Sequence, residues 1–368
     1  MKTAATVLAL FASIFSVCEA AETIRWKEDT RILVQPGGHY GRIARLDAKT
    51  LLCVFTFKQA LQFRRSRDDG RTWEDPRSIA SWPPGTLANA EILVLKNGGI
   101  LAFFNRRPDR ANPTGLPYSI GCCRSADHGA TWSEPVTIHE AGTTFGDGCW
   151  EPAALELPDG RIAVWFANEG PYRTSDEQEI SVAFSADRGT SWSAAQRFSF
   201  RAGHRDGMPV PLLAPDGKSV RVAIEDNGLS GTFKPVILLA PLGSNGSFAP
   251  IDATSQRRRA ALAAPLPPKA YAGAPYLRAL PGGALVLSFQ FASSGDMKDS
   301  RMAVCLGKDR PPSFSPPSFP FPAAPPEPAQ LWNSLFIKNR NTVTALSETT
   351  WAGQAGIWIV DGEVASAP

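Results

Sequence analysis

The stretch Ser66-Arg67-Asp68-Asp69-Gly70-Arg71-Thr72-Trp73 returns twice, as Ser125-Ala126-Asp127-His128-Gly129-Ala130-Thr131-Trp132 and as Ser185-Ala186-Asp187-Arg188-Gly189-Thr190-Ser191-Trp192. The copies start 59 residues apart (66 to 125) and 60 residues apart (125 to 185), a regularity that chance does not produce. Each copy has the same physical reading. Asp followed by x-Gly is a tight turn, in which the carboxylate caps backbone N–H groups and the glycine takes positive φ. The Ser ends the strand before the turn. The Trp closes it by packing its ring between strands. A fixed period of this kind marks one supersecondary unit used several times.

A second repeat surrounds the first. Six segments, 40–57, 90–105, 151–167, 208–225, 274–291 and 332–346, share the order strand, tight turn, strand. Their turns are Asp47-Ala48-Lys49, Asn97-Gly98-Gly99, Asp159-Gly160, Asp216-Gly217, Pro281-Gly282-Gly283 and Asn339-Arg340-Asn341. Apolar strands around Gly or Asn turns read as hairpins. Asn245-Gly246 reads as a degenerate fourth copy of the Ser-to-Trp motif, and residues 305–310 stand where a further one belongs. Past the N-terminal segment no helical period is visible. Six inner hairpins, each completed by an outer one, predict an all-β chain: a six-bladed β-propeller of four-stranded antiparallel blades. Residues 30–34 and 356–360 read as strands that pair within one blade and bring the chain ends together. Residues 311–328 hold nine prolines, so they are no central strand and predict a long extended loop between blades five and six.

The eight-residue motif resembles the Asp-box, or BNR, repeat of sialidases and related glycoside hydrolases. The resemblance implies that the motif joins the two outer strands of a blade and serves folding rather than catalysis.

The N-terminus reads as an export signal. Lys2 is followed by an uncharged apolar run over residues 4–17 and then Cys18-Glu19-Ala20, which predicts cleavage after Ala20. Residues 21–368 are then expected to form one secreted or periplasmic propeller domain. Lipoprotein anchoring at Cys18 ranks second, because Val17 is bulky for the position before a lipidated Cys. No other stretch is long and apolar enough to span a bilayer, so the mature chain is expected to be soluble and without a membrane partner. The net charge of +3 gives no reason to expect nucleic acid, and Arg257-Arg258-Arg259 reads as a solvated loop. Cys53, Cys122, Cys123, Cys149 and Cys305 remain after cleavage, an odd number that leaves at least one thiol unpaired. A bridge through Cys122 or Cys123 is compatible with an oxidising compartment. No metal or other cofactor is expected, and a monomer is.

Topology then locates the site. In a propeller the first strand of each blade runs down the central channel and the second runs back, so first-strand starts and second-strand ends share one face. First-strand starts supply Arg42, Asn89, Glu91, Glu151, Arg205, Asp206, Tyr276 and Asn333. Second-strand ends supply Lys58, Gln59, Arg106, Arg107, Asn168, Glu169, Glu225, Asp226, Asn227 and Gln290. Asp147, Tyr172, Arg173 and Tyr271 are loop-borne candidates on that face. Carboxylates, arginines and tyrosines around one cavity suit a polar, hydroxyl-rich ligand. Two carboxylates across a pocket are the minimum apparatus for glycoside hydrolysis. Glu151, between Trp150 and Pro152, and Glu225, at the end of an apolar strand, stand out, with Asp206 a substitute for either.

Two families share these features. Trp150-Glu151-Pro152 with Pro158-Asp159-Gly160-Arg161, and the run from Gly203 to Val210 that leads to Glu225, resemble glycoside hydrolase family 93, the exo-arabinanases. That resemblance implies that Glu151 and Glu225 are the catalytic pair of a retaining mechanism, with the roles of acid and nucleophile open. Tyr40-Gly41-Arg42-Ile43-Ala44 resembles the first-blade Arg-Ile-Pro motif of sialidases, whose arginine binds the substrate carboxylate, with Ala44 in place of Pro. Three readings follow: an exo-acting glycosidase on neutral glycans, an exo-α-sialidase, and a propeller that binds glycan or protein without turnover. Expected substrate contacts are Arg42, Glu91, Arg106, Asn168, Arg205, Asn227, Tyr276 and Gln290.

Overall fold

A computed structural model describes residues 22–243, 246–309, 312–322 and 329–366. The expected export signal and Asn245 of the degenerate motif lie outside these residues. The described chain forms six four-stranded antiparallel sheets. The first strands of the six blades are His39–Arg45, Gly85–Val94, Cys149–Glu156, Asp206–Leu213, Tyr271–Ala279 and Leu331–Ile337. Each touches the first strands of both neighbouring blades, which closes the ring. The only helical elements among the described residues are two three-residue 3-10 turns, Phe145–Asp147 and Met297–Asp299. None is long and apolar enough to cross a membrane.

Blade six is built from both ends of the chain. Glu22–Pro36 is its outermost strand and pairs with Gln354–Ser366, with Ile32 opposite Ile359 and Leu33 opposite Trp358. The sheet edge that an open ring would expose is thereby covered.

The Pro-rich stretch departs from expectation. Pro312–Phe314 is not loop but the outermost strand of blade five, paired with Arg301–Asp309 through Gly307 and Phe314. A proline at a sheet edge forfeits no ladder bond, which is why the segment is admitted there. Residues 310, 311 and 323–328 lie outside the described ones. The five cysteines are free and buried, and no bridge forms through Cys122 or Cys123.

The three repeated turns join third to fourth strands in blades one to three. In the first, Asp68 accepts from the Thr72 N–H (2.9 Å) and hydroxyl (2.6 Å), while Ser66 Oγ accepts from Gly70 N–H (2.8 Å). Gly70, Gly129 and Gly189 have φ of 88°, 79° and 81°. Each turn also reaches the preceding blade. Trp132 of blade two lies 6.1 Å from Phe63 of blade one, and Trp192 of blade three lies 6.1 Å from Phe103 of blade two. Arg65 donates to the His128 carbonyl (2.7 Å) and Arg124 to the Thr190 hydroxyl (2.6 Å), again from blade to blade. These turns sit at the end of the ring that holds the inner hairpin turns: Asp69 N–H donates to the Lys49 carbonyl at 2.9 Å.

At the opposite end every first strand carries the same irregularity. Pairing with the second strand slips by one residue between His39 and Arg42, Ala88 and Glu91, Trp150 and Ala153, Gly207 and Val210, Gly273 and Tyr276, and Leu331 and Ser334. Within each slip one residue adopts the left-handed region: Tyr40, Asn89, Glu151, Met208, Ala274 and Trp332, with φ of 48–59°. A bulge of this kind re-aims a side chain. Six of them, one per blade, set a ring of side chains at the channel mouth.

Candidate active site at the channel mouth

The ring is asymmetric in chemistry. Tyr40, Met208, Ala274 and Trp332 form one apolar cluster, in which the Tyr40 hydroxyl reaches Met208 Sδ at 4.0 Å. Blades one and four face each other across the ring, so this contact closes the channel. Two residues further along the strands a second layer seals it. Arg42, only 2% exposed, stacks over Tyr40 (3.9 Å) and Tyr276 (4.9 Å) and donates to the Trp332 carbonyl at 3.0 Å. Glu91 lies 3.6 Å from Arg42 and accepts from the Tyr276 hydroxyl (3.2 Å). These contacts close the channel beneath its mouth.

Glu151 and Asn89 occupy the polar side of the ring. Glu225 joins Glu151 from the end of the second strand of blade four. Gly207 is paired opposite Glu225. A Cβ at Gly207 would lie 2.7 Å from Glu225 Oε1, and one at Gly273 would lie 2.4 Å from both Glu225 Oε2 and the Tyr271 hydroxyl. Two glycines thus leave just enough room for this carboxyl. Ala274 N–H donates to Glu225 Oε2 at 2.7 Å. Gln290 accepts from Trp332 N–H (2.6 Å) and its amide nitrogen lies 3.5 Å from the Tyr271 hydroxyl.

Two arginines flank the pair. Arg107 donates to Asn89 and to Asn105 Oδ1 (3.0 Å) and lies 4.9 Å over the Trp150 ring. Arg205 binds Glu169, Gln178 Oε1 (2.6 Å) and Asp176 (2.7 Å). Burial pushes the Glu151 carboxyl up to about 8, helped by the nearby charge of Glu225 and opposed by Arg107. Burial pushes Glu225 up to about 7, opposed by the Ala274 N–H bond and Arg205.

Other expected contacts lie elsewhere. Asp206 and Asp226 are opposite each other in register and face away from Glu225. Arg258 binds Asp206 (2.6 Å) and Asp226 (2.7 Å), and Ser199 adds a bond to Asp206 (2.7 Å). Asp206 is thus not poised as a substitute for either glutamate. Arg258 is a buried ion-pair partner rather than part of a solvated loop. Arg106 binds Thr137 (2.7 Å) within blade two, and its neighbour Arg107 takes the pocket side. Asn168 donates to Ser181 (3.1 Å) and Asn227 accepts from the Arg205 N–H (2.9 Å), so both brace backbone and strands. Arg42, Glu91 and Tyr276 lie beneath the floor, while Arg205 and Gln290 border the pair. Gln178 escaped the sequence reading, because a polar residue entering an ordinary-looking strand gives no signal.

No family model matches the chain, and no curated protein matches it in sequence. Solved structures do match in fold. A protein of unknown function from Dyadobacter fermentans superposes with a TM-score of 0.69 at 14% identity, over 92% of this chain and 99% of that one. The GH93 α-L-arabinofuranosidase of Fusarium graminearum, in complex with arabinobiose, gives 0.64 at 17%, over 92% and 97%. The NanB sialidase of Streptococcus pneumoniae gives 0.63 at 10%, over 90% and 70%. The expected likeness to family 93 and to sialidases therefore holds at the level of the propeller.

Proposed function

We propose that the chain is an exo-acting glycoside hydrolase working through Glu151 and Glu225. The observation that carries this reading is the pair itself: two carboxyls from adjacent blades stand at the mouth of the closed channel, near enough for the charge of Glu225 to raise Glu151, and burial holds both well above the ordinary range. A channel closed beneath its mouth admits the end of a glycan rather than its middle, which supports exo action.

Glu225 accepts a backbone N–H, which favours its ionised form, so it takes the role of nucleophile. Glu151, pushed up further, is the acid. Its proton passes to the glycosidic oxygen as that oxygen's bond to the anomeric carbon breaks. The Glu225 carboxylate bonds to the same carbon. Glu151, now ionised, takes a proton from water, whose oxygen displaces Glu225 and restores the starting state with retained configuration.

The substrate is a neutral glycan. Arg42, the counterpart of the carboxylate-binding arginine of sialidases, is buried under Tyr40 and spent on carbonyls and Glu91. Arg107 and Arg205 already have partners on the chain. The arabinobiose complex of the Fusarium enzyme makes arabinofuranosides the first substrates to try. Export after cleavage at Ala20 belongs to the same reading, and the N-terminus of secreted protein reports on it.

The test is a panel of nitrophenyl glycosides, sialosides and arabino-oligosaccharides. Glu151→Gln and Glu225→Gln should each lower kcat by roughly two orders of magnitude or more with the fold intact. Azide should rescue the variant that lacks the nucleophile. Wild-type turnover in both variants ends the assignment, and no turnover on any glycoside leaves a binding protein.

A further inference from the structure

Among the described residues two large apolar side chains are exposed, Phe145 (69%) and Leu229 (43%). Both stand on the face that holds the glutamates: Phe145 on the loop entering the strand that carries Glu151, Leu229 on the loop leaving the strand that ends after Glu225. Exposed apolar side chains gathered beside a polar pocket mark a binding surface.

Phe145 is displayed by a rigid loop. The Asp147 carboxylate accepts from Thr144 N–H (2.7 Å) and hydroxyl (2.8 Å). Gly142 N–H donates to the Asp147 carbonyl (2.7 Å), and a Cβ at Gly142 would collide with the Asp147 carboxyl at 2.0 Å. Asn112, from a loop of blade two, binds the Thr143 carbonyl at 2.9 Å. Asp147 is thus committed to holding the loop. The Phe145 ring lies 4.8 Å from Trp150 at 43°, and Tyr118 backs Trp150 at 5.1 Å. Trp150 in turn lies under Arg107 and immediately precedes Glu151. The three rings form a continuous aromatic step from solvent to the residue that precedes Glu151.

We infer that Phe145, backed by Trp150 and Tyr118, is a sugar-stacking subsite on the Glu151 side of the cleft. The inference rests on the hydrolase reading and deepens it. With Glu151 as acid, that side receives the leaving group, so Phe145 binds a sugar unit beyond the scissile bond. A sugar offers one face of weakly positive C–H bonds, which matches the negative face of an aromatic ring, while its hydroxyl edge stays in water. One exposed ring, fixed and solvent-facing, suits one sugar.

The experiment compares wild type, Phe145→Ala and Phe145→Tyr on linear arabino-oligosaccharides of two to five units. Phe145→Ala should raise KM about tenfold, and by the same factor, on every chain long enough to lay a unit over the ring, with kcat changing less. Phe145→Tyr should restore the wild-type KM. No rise in KM on any chain, or a loss carried by kcat instead of KM, overturns the subsite. If wild type turns over none of these chains, the hydrolase reading fails for this substrate class. Calorimetric titration of wild type and Phe145→Ala with the five-unit chain then decides the subsite alone: weaker binding to the variant supports it, and equal or absent binding overturns it.

Discussion

Removing the proposed acid should make the protein more stable. In Glu151→Gln a neutral amide of the same shape replaces a carboxyl held at about 8 by burial and by Glu225. In the unfolded chain that carboxyl returns to its ordinary value of 4.5. Between those two values the folded state keeps a proton that the unfolded state has shed, so stability falls as pH rises through this window. From 4.5 to pH 7 is 2.5 units, and at 1.36 kcal/mol per unit the destabilisation is on the order of 3 kcal/mol. The Gln variant escapes it. It should match wild type at pH 4, exceed it on the order of 3 kcal/mol at pH 7, and exceed it further at pH 9. Urea unfolding at the three values, followed by tryptophan fluorescence, measures this directly. A difference that is the same at all three values, or a variant less stable than wild type at pH 9, refutes the reasoning.

Arg258→Ala strands the buried Asp206 carboxylate, while Asp226 keeps Arg201 (3.0 Å), and should cost about 3–5 kcal/mol at pH 7. Burial already pushes Asp206 up against the pull of Arg258, so the variant's deficit should shrink at pH 5 as the stranded carboxyl takes a proton, and a small, pH-independent deficit in urea would contradict this. Gly273→Ala puts a methyl 2.4 Å from Glu225 Oε2 and should lower kcat of the folded protein at least tenfold; unchanged kcat means the carboxyl is freer than its surroundings suggest. Asp68→Ala should lower Tm and leave turnover per folded molecule intact, since Asp68 caps a turn on the far face. Hydrogen bonds from Thr72 and Ser66 hold its carboxyl down to about 2, so this stabilisation is present above the ordinary carboxyl range and lost as pH falls through about 2; a wild-type Tm at neutral pH would show that the turn needs no cap.

The propeller was readable because its units repeat and its turns need glycine or a capping carboxylate. The closing strands were readable because they are apolar runs with no hairpin of their own. What escaped was orientation. Arg106 and Arg107, or Asp226 and Glu225, differ by one position, and alternation sends neighbours to opposite faces. A bulge then inverts the alternation upstream of it. The sequence does carry a trace of these bulges: Glu151, Met208 and Ala274 each precede a proline, Pro152, Pro209 and Pro275. A bulged residue is unpaired, so a missing N–H costs nothing there. Arg258 was hidden by its flanking arginines, of which only the middle one turns inward to two carboxylates.

The six left-handed residues form a turret of interchangeable sockets. Each presents its side chain from nearly the same backbone pose, φ 48–59°, whichever residue is fitted. Holding a non-glycine residue there costs roughly 1–2 kcal/mol, a tension spread evenly around the ring. Since the pose does not depend on whether the socket holds Tyr40, Asn89, Glu151, Met208, Ala274 or Trp332, any one can be exchanged without re-laying the strand beneath it. Specificity on this frame can therefore drift one blade at a time. Ala274 is the emptiest socket, next to the backbone bond that holds Glu225, and a larger residue fitted there would narrow the pocket from the side opposite Asn89.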